Sequence, residues 1–138
     1  MSNIPPAQEI AERWINKAEA DWRAGELLRQ AKPRPEPALA AFHHQQCVEK
    51  YLKAILTFLS VDYPRTHDLS RLLQLCPPAL RREMDSQNPE LLNPFAVEVR
   101  YPLDLELDST EACVRAATVT SSLRQIILRW LAENFPPR

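Results

Sequence analysis

An amphipathic stretch at residues 41–59, AFHHQQCVEKYLKAILTFL, constrains the fold of this chain more than any other feature. At about 100° per residue, its apolar side chains form one stripe along a helix. The stripe consists of Ala41, Val48, Leu52, Ile55 and Leu59. The opposite side carries His43, Gln46, Lys50 and Lys53. Because one side is apolar over its whole length, other helices must cover it, and the pattern predicts a helical domain.

The polar residues of this helix are predicted to be mainly structural. Gln45 falls within the apolar stripe, and we expect it to be a hydrogen-bonded core residue that fixes the helix register. Glu49 and Lys53 are four residues apart, a spacing typical of an ion pair on the exposed side. His43 is expected to be exposed, and His44 to lie at the boundary of the core.

Helical periodicity and proline positions predict the remaining elements. We expect helices at 7–31, at 37 or 38 to 59 or 60, at 67–76 with Thr66 as its cap, at 79–85, and at 109–134. Residues 86–108 hold three prolines and no helical period, which favours an ordered loop. The predicted fold is all-α: an antiparallel four-helix up-and-down bundle with an extra short helix and a long ordered loop before the last helix. We expect a single domain over 1–138 with its core at about 7–134.

Two residues of the first helix are unusual for the buried side on which they fall. Gly25, the only glycine of the chain, costs about 1 kcal/mol relative to alanine inside a helix, and a close helix–helix approach would explain it. Asp21 needs a positively charged partner, because an unpaired buried charge is strongly unfavourable. Arg100, in the irregular segment before the last helix, is the partner we predict.

Composition excludes several classes of protein. With 45% apolar and 25% charged residues, the chain is typical of a soluble globular protein, and we expect it in the cytoplasm. We expect no membrane span. The net charge of −1 gives no global attraction to nucleic acid. Three separated cysteines predict neither a disulfide framework nor a zinc site. One glycine cannot form a glycine-rich phosphate loop. We expect neither a cofactor nor a metal.

The sequence Arg65-Thr66-His67-Asp68 has two readings. In one, Arg65 and a helix N-terminus bind a phosphate or RNA group. In the other, Asp68 satisfies the start of the helix and His67 bonds a neighbouring loop, with no ligand involved. The sequence alone favours the second reading slightly.

Several motifs resemble those of HEPN domains, helical domains of prokaryotic toxin–antitoxin and nucleotide-related systems. They are FHHQQCVEKYLKA at 42–54, the Ala18/Asp21 region, RTHDL at 65–69 and Arg100-Tyr101-Pro102. Together they cover roughly residues 10–130. The resemblance implies a helical bundle, a homodimer, and relatedness to the HEPN proteins often encoded beside a minimal nucleotidyltransferase, for which nucleotide binding has been proposed.

One motif of the family is absent. HEPN ribonucleases resemble one another in an R-x(4–6)-H sequence near the last long helix, and no arginine of this chain is followed by a histidine at that spacing. We therefore expect a non-catalytic module that binds a nucleotidyltransferase-type partner or a nucleotide-like ligand. The candidate ligand-binding residues are Asp21, Lys53, Arg65, His67, Asp68, Arg100 and Tyr101. The alternatives are a metal-independent RNase toxin that uses His67 with Arg65 or Arg100, and a purely structural adaptor.

Overall fold

The structure is a computed structural model that describes residues 6–97 and 109–135. Its helices are α1 (Pro6–Arg29), α2 (Pro37–Phe58), α3 (Leu69–Gln74), α4 (Pro78–Asp85), a 3₁₀ helix (Pro89–Phe95) and α5 (Thr110–Asn134). Every regular element in these two ranges is helical, which confirms the all-α prediction. None of the helices described has both the length and the apolar character that crossing a membrane requires.

Helix α2 is the centre of the molecule. It packs antiparallel to α1, since Trp14 lies beside Lys53 whereas Gly25, further along α1, lies beside Ala40 near the start of α2. It runs parallel to α5, because Phe58 at its end contacts Phe135 at the end of α5, with ring centroids 4.6 Å apart. The apolar stripe predicted for α2 is buried between these neighbours, apart from Leu59 just after the helix.

The side of α2 that was predicted to be exposed is covered as well, so that prediction is wrong. Of the residues predicted on that side, Lys53 is buried and His43, Gln46 and Lys50 are only half-buried. Glu49, predicted to pair with Lys53 on the exposed side, is buried as well. The reason is that α1 lies over this side and supplies polar partners for several of its side chains. A helical wheel identifies polar residues, but it does not tell whether water or another helix satisfies them.

The third helix is shorter than predicted. Helix α3 has six residues, against 22 to 25 in α1, α2 and α5, so the detail of a four-helix bundle is not confirmed. Its cap is Asp68, whose carboxylate accepts the backbone N–H of Ser70 at 2.9 Å. Thr66 was predicted as the cap, and its hydroxyl instead accepts the N–H of Asp68 at 3.1 Å. The Ser109 signal for the last helix is confirmed, because its hydroxyl accepts the N–H of Ala112 at 3.1 Å.

Part of the predicted loop at 86–108 is helical. The 3₁₀ helix Pro89–Phe95 buries Leu92 and Phe95 in the core, which explains how a proline-rich segment is ordered without a helical period. The last part of that predicted loop, residues 98–108, lies outside the described part of the chain.

Gly25 lies at a close contact between α1 and α2, as predicted. A Cβ atom at this position would lie 2.7 Å from Cδ2 and Nε2 of His44 and 3.2 Å from the carbonyl oxygen of Ala40. His44 is completely buried beside the ring of Trp22, and its Nε2 lies 3.3 Å from a carboxylate oxygen of Glu26. Burial lowers the pKa of His44, although the carboxylate of Glu26 opposes the shift.

Replacing Gly25 by alanine is expected to destabilise the protein. Overpacking costs about 1–3 kcal/mol, which outweighs the roughly 1 kcal/mol that alanine gains over glycine in a helix. Urea denaturation of Gly25→Ala measures the loss, and Gly25→Ala combined with His44→Ala should lose less than the sum of the single changes. Equal or greater stability of Gly25→Ala would contradict the close contact.

The buried imidazole of His44 predicts a dependence of stability on pH. Because its pKa is lower in the folded chain than its ordinary 6.5, the unfolded chain binds a proton that the folded chain excludes. The free energy of unfolding should therefore fall below pH 6.5, by at most about 1.4 kcal/mol per pH unit. Urea denaturation at pH 7.5 and 5.5 measures the change, which should shrink in His44→Gln. An unchanged pH dependence in that variant would rule out His44 as its source.

Candidate functional site

The side chain of Glu49 is at the centre of a buried polar cluster. It is only 3% exposed, and its two oxygens accept hydrogen bonds from Lys53 Nζ at 2.9 Å and from His67 Nδ1 at 2.8 Å. The amide of Gln45 makes a longer contact with the same carboxylate at 3.4 Å. These donors explain how an acidic group is tolerated in the core, since a buried carboxylate needs both a positive partner and hydrogen bonds.

Two buried residues of α2 hold His67, while its side chain is largely exposed to solvent. Its side chain is 62% exposed, although Glu49 binds Nδ1 and the amide of Gln45 donates to its backbone carbonyl at 3.1 Å. An ionised carboxylate only accepts hydrogen bonds, so Nδ1 must carry the hydrogen of this contact. In the neutral ring, Nε2 is then the unprotonated nitrogen, and it is the atom available to a ligand or a substrate.

His67 lines a cavity of about 520 Å³ between α1, α2 and the connection from α2 to α3. This cavity, here called the His67 cavity, is lined by Trp14, Lys53, Tyr63, Arg65, Thr66 and His67. The ammonium group of Lys53 lies 5.5 Å from the centre of the Trp14 ring, a cation–π contact. The hydroxyl of Tyr63 is hydrogen-bonded to that of Thr57 at 3.2 Å, which fixes the second aromatic ring of the cavity wall.

The balance of charge in the His67 cavity favours an anion. Glu49 offsets the charge of Lys53. Arg65 is exposed and makes no ion pair with any residue in 6–97 or 109–135, so its charge is not compensated within the described chain. A guanidinium beside an imidazole and two aromatic rings can bind a phosphate group that carries a planar substituent.

The structure brings together three of the predicted site residues: Lys53, Arg65 and His67. Asp68 lines a neighbouring cavity of about 340 Å³ together with His67, Asn93 and Ala96. Arg100 and Tyr101 lie outside the described residues, so their predicted part in the site concerns a segment that the structure does not describe.

Asp21 lies in a separate cluster. Its carboxylate binds Nδ1 of His43 at 2.8 Å and the ammonium group of Lys50, so α2 supplies a positive partner for this acid. The predicted ion pair with Arg100 is therefore not needed to compensate its charge. His43, predicted to be simply exposed, instead donates to Asp21 from a half-buried position.

The sequence did not indicate that Trp14 and Tyr63 belong to the site. Glu49 was predicted to form an ion pair with Lys53 on the exposed side of its helix. The available signal was the spacing of Gln45, Glu49 and Lys53, which places three polar residues in one row along α2. The contact between Trp14 and Lys53 joins residues far apart in the sequence, and no local pattern indicates it.

Comparison with protein families identifies the class of domain. A sequence model of the HEPN domain matches residues 11–130. The chain belongs to the HEPN domain family. The match spans Trp14, all of α2 and the segment that carries His67, so the site lies inside the HEPN domain. Comparisons with curated proteins and with solved structures found no match.

Removing the charge of Glu49 is expected to destabilise this HEPN domain. In Glu49→Gln the buried ammonium group of Lys53 loses its counter-charge, and breaking a buried ion pair costs about 3–5 kcal/mol. Chemical denaturation measures the loss. The double variant Glu49→Gln/Lys53→Met should recover part of it, because no buried charge then remains unpaired. If Glu49→Gln is as stable as the wild type, the carboxylate does not have this role.

Proposed function

We propose that this HEPN domain binds a phosphate-bearing, nucleotide-like ligand in the His67 cavity. The observation that supports the proposal is the use of two buried polar side chains to hold one exposed histidine: Glu49 binds its imidazole, and Gln45 binds its backbone carbonyl. An apolar pair at these two positions would serve stability at least as well, because buried ion pairs contribute little net free energy. What the polar pair adds is a fixed orientation of the His67 ring at the cavity wall.

The chemistry of the cavity matches such a ligand. Arg65 offers paired N–H donors to phosphate oxygens, and a protonated His67 adds a donor at Nε2. Trp14 and Tyr63 provide aromatic surface for a nucleobase, for which stacking is worth about 1–3 kcal/mol per base. The ligand would thus be held at its phosphate by charge and at its base by apolar contact.

RNA cleavage without a metal is a second candidate function, and the contact between Glu49 and His67 favours it. A carboxylate that fixes the tautomer of an imidazole is a common arrangement for general acid–base catalysis. Nε2 would take the proton of a ribose 2′-hydroxyl while the 2′-oxygen bonds to phosphorus and the bond from phosphorus to the 5′-oxygen breaks. The ring would return that proton to the departing 5′-oxygen, and Arg65 would stabilise the negative charge that develops on the phosphate oxygens. This site would differ from the R-x(4–6)-H site of HEPN ribonucleases, whose sequence motif the chain lacks.

Two further proposals come from the family relationship and not from the geometry of the site. They are that the protein forms a homodimer, and that it acts with a nucleotidyltransferase-type partner in a toxin–antitoxin-like or nucleotide-related system. Light scattering on the purified protein tests the first of them.

Removing either ligand-facing group is expected to weaken binding. Isothermal titration calorimetry with inorganic phosphate and with AMP should show saturable binding to the wild type, at least tenfold weaker in Arg65→Ala and in His67→Ala. Arg34→Ala is the matched control, because Arg34 is an exposed arginine in the α1–α2 connection and does not line the cavity. Its affinity should equal that of the wild type.

The same proteins separate the two candidate functions when they are incubated with single-stranded RNA in the presence of a chelator. Cleavage by the wild type that disappears in His67→Ala would favour the ribonuclease. Binding without cleavage would favour the non-catalytic module. If wild-type protein neither binds these ligands nor cleaves RNA, the proposed function is wrong.

A further inference from the structure

A second cavity adjoins the His67 cavity along α1. It has a volume of about 570 Å³, and Tyr63 lines both spaces. This second space, here called the Ile10 cavity, is lined by Ala7, Ile10, Thr57, Ser60, Val61, Asp62 and Tyr63. The two cavities therefore share one wall.

The two cavities lie next to each other between α1 and the connection from α2 to α3, and they are here together called the groove. Ala7, Ile10 and Trp14 are spaced by three and four residues, which places them on one side of α1. At 1.5 Å per residue this row is roughly 10 Å long. The opposite wall is the segment 60–67, which contributes residues to both cavities.

The two ends of this groove differ in chemistry. At one end lie Arg65, Lys53 and the ring of His67. At the other end Ile10 is 46% exposed and Val61 lies near it, so apolar surface is open to a ligand. A ligand that fits this groove has one anionic end and one apolar end.

The carboxylates beside the groove limit how many phosphates it can hold. Asp62 lines the Ile10 cavity and makes no ion pair within the described residues, and none of the described residues lining that cavity is lysine or arginine. On the other side of His67, the neighbouring cavity contains Asp68 and likewise no lysine or arginine among its described lining residues. A second phosphate in either direction would meet negative charge, which is unfavourable at short range.

We propose that the groove binds a nucleoside 5′-monophosphate, an inference that rests on the proposed function and specifies its ligand. The phosphate lies at Arg65 and His67. Of the two aromatic rings available to the base, it stacks on that of Tyr63, and Ile10 contacts it from the other side. The carboxylate of Asp62 accepts a hydrogen bond from a ribose hydroxyl. This arrangement accounts for an exposed isoleucine in the first turns of α1.

Calorimetry with three ligands tests the inference: inorganic phosphate, AMP and the dinucleotide ApA. Wild-type protein should bind AMP at least tenfold more tightly than inorganic phosphate, and at least as tightly as ApA. Ile10→Asn should weaken AMP binding about fivefold and leave phosphate binding unchanged, whereas Arg65→Ala should weaken both. Leu27→Asn is the matched control, since Leu27 is a 73% exposed apolar residue of the same helix outside the groove.

The outcomes separate this inference from the proposed function. If phosphate binds but AMP binds no more tightly, or if Ile10→Asn behaves like Leu27→Asn, the monophosphate assignment is wrong and the phosphate site remains. If ApA binds tenfold more tightly than AMP, the ligand is an oligonucleotide and the assignment is also wrong. If neither phosphate nor AMP binds the wild type, both the inference and the proposed function fail.

Discussion

The carboxylate of Glu49 is the group on which the arrangement of the site depends. It lies inside the core, and the side chains around it are placed by the need to satisfy its charge. Lys53 lies in the interface with α1, where its ammonium group makes a cation–π contact with the ring of Trp14. His67 is fixed at the start of the segment leading into α3. One buried acid on α2 thereby positions a residue of α2 and one of the following connection around the same cavity.

A second buried acid repeats this chemistry at the α1–α2 interface. Asp21 binds Nδ1 of His43 and the ammonium group of Lys50, just as Glu49 binds Nδ1 of His67 and Lys53. Asp21 and its two partners join α1 to α2, and none of the three residues lines the His67 cavity. The difference between the two clusters is exposure of the imidazole: the side chain of His67 is 62% exposed and that of His43 only 26%.

The sequence predicted the elements of this fold better than it predicted their environment. Apolar periodicity and proline positions were sufficient for the long helices, and Gly25 indicated the close contact of α1 with α2. The polar side of α2 was misjudged because a wheel cannot distinguish water from polar groups of another helix. Lys53, Arg65 and His67 could be named from local patterns, whereas Trp14 joins the cavity only through a contact across the interface.

The most direct test of this account is an NMR measurement of the His67 ring, with ¹⁵N–¹H long-range correlations recorded during a titration with inorganic phosphate. The account predicts that Nδ1 of the wild-type ring carries a hydrogen directed at Glu49, and that the Nε2 resonance shifts as phosphate is added. It further predicts that the preference for Nδ1 weakens in Glu49→Gln. A ring protonated mainly at Nε2, with resonances that phosphate leaves unchanged, would contradict the central claim that Glu49 holds His67 ready for a phosphate-bearing ligand.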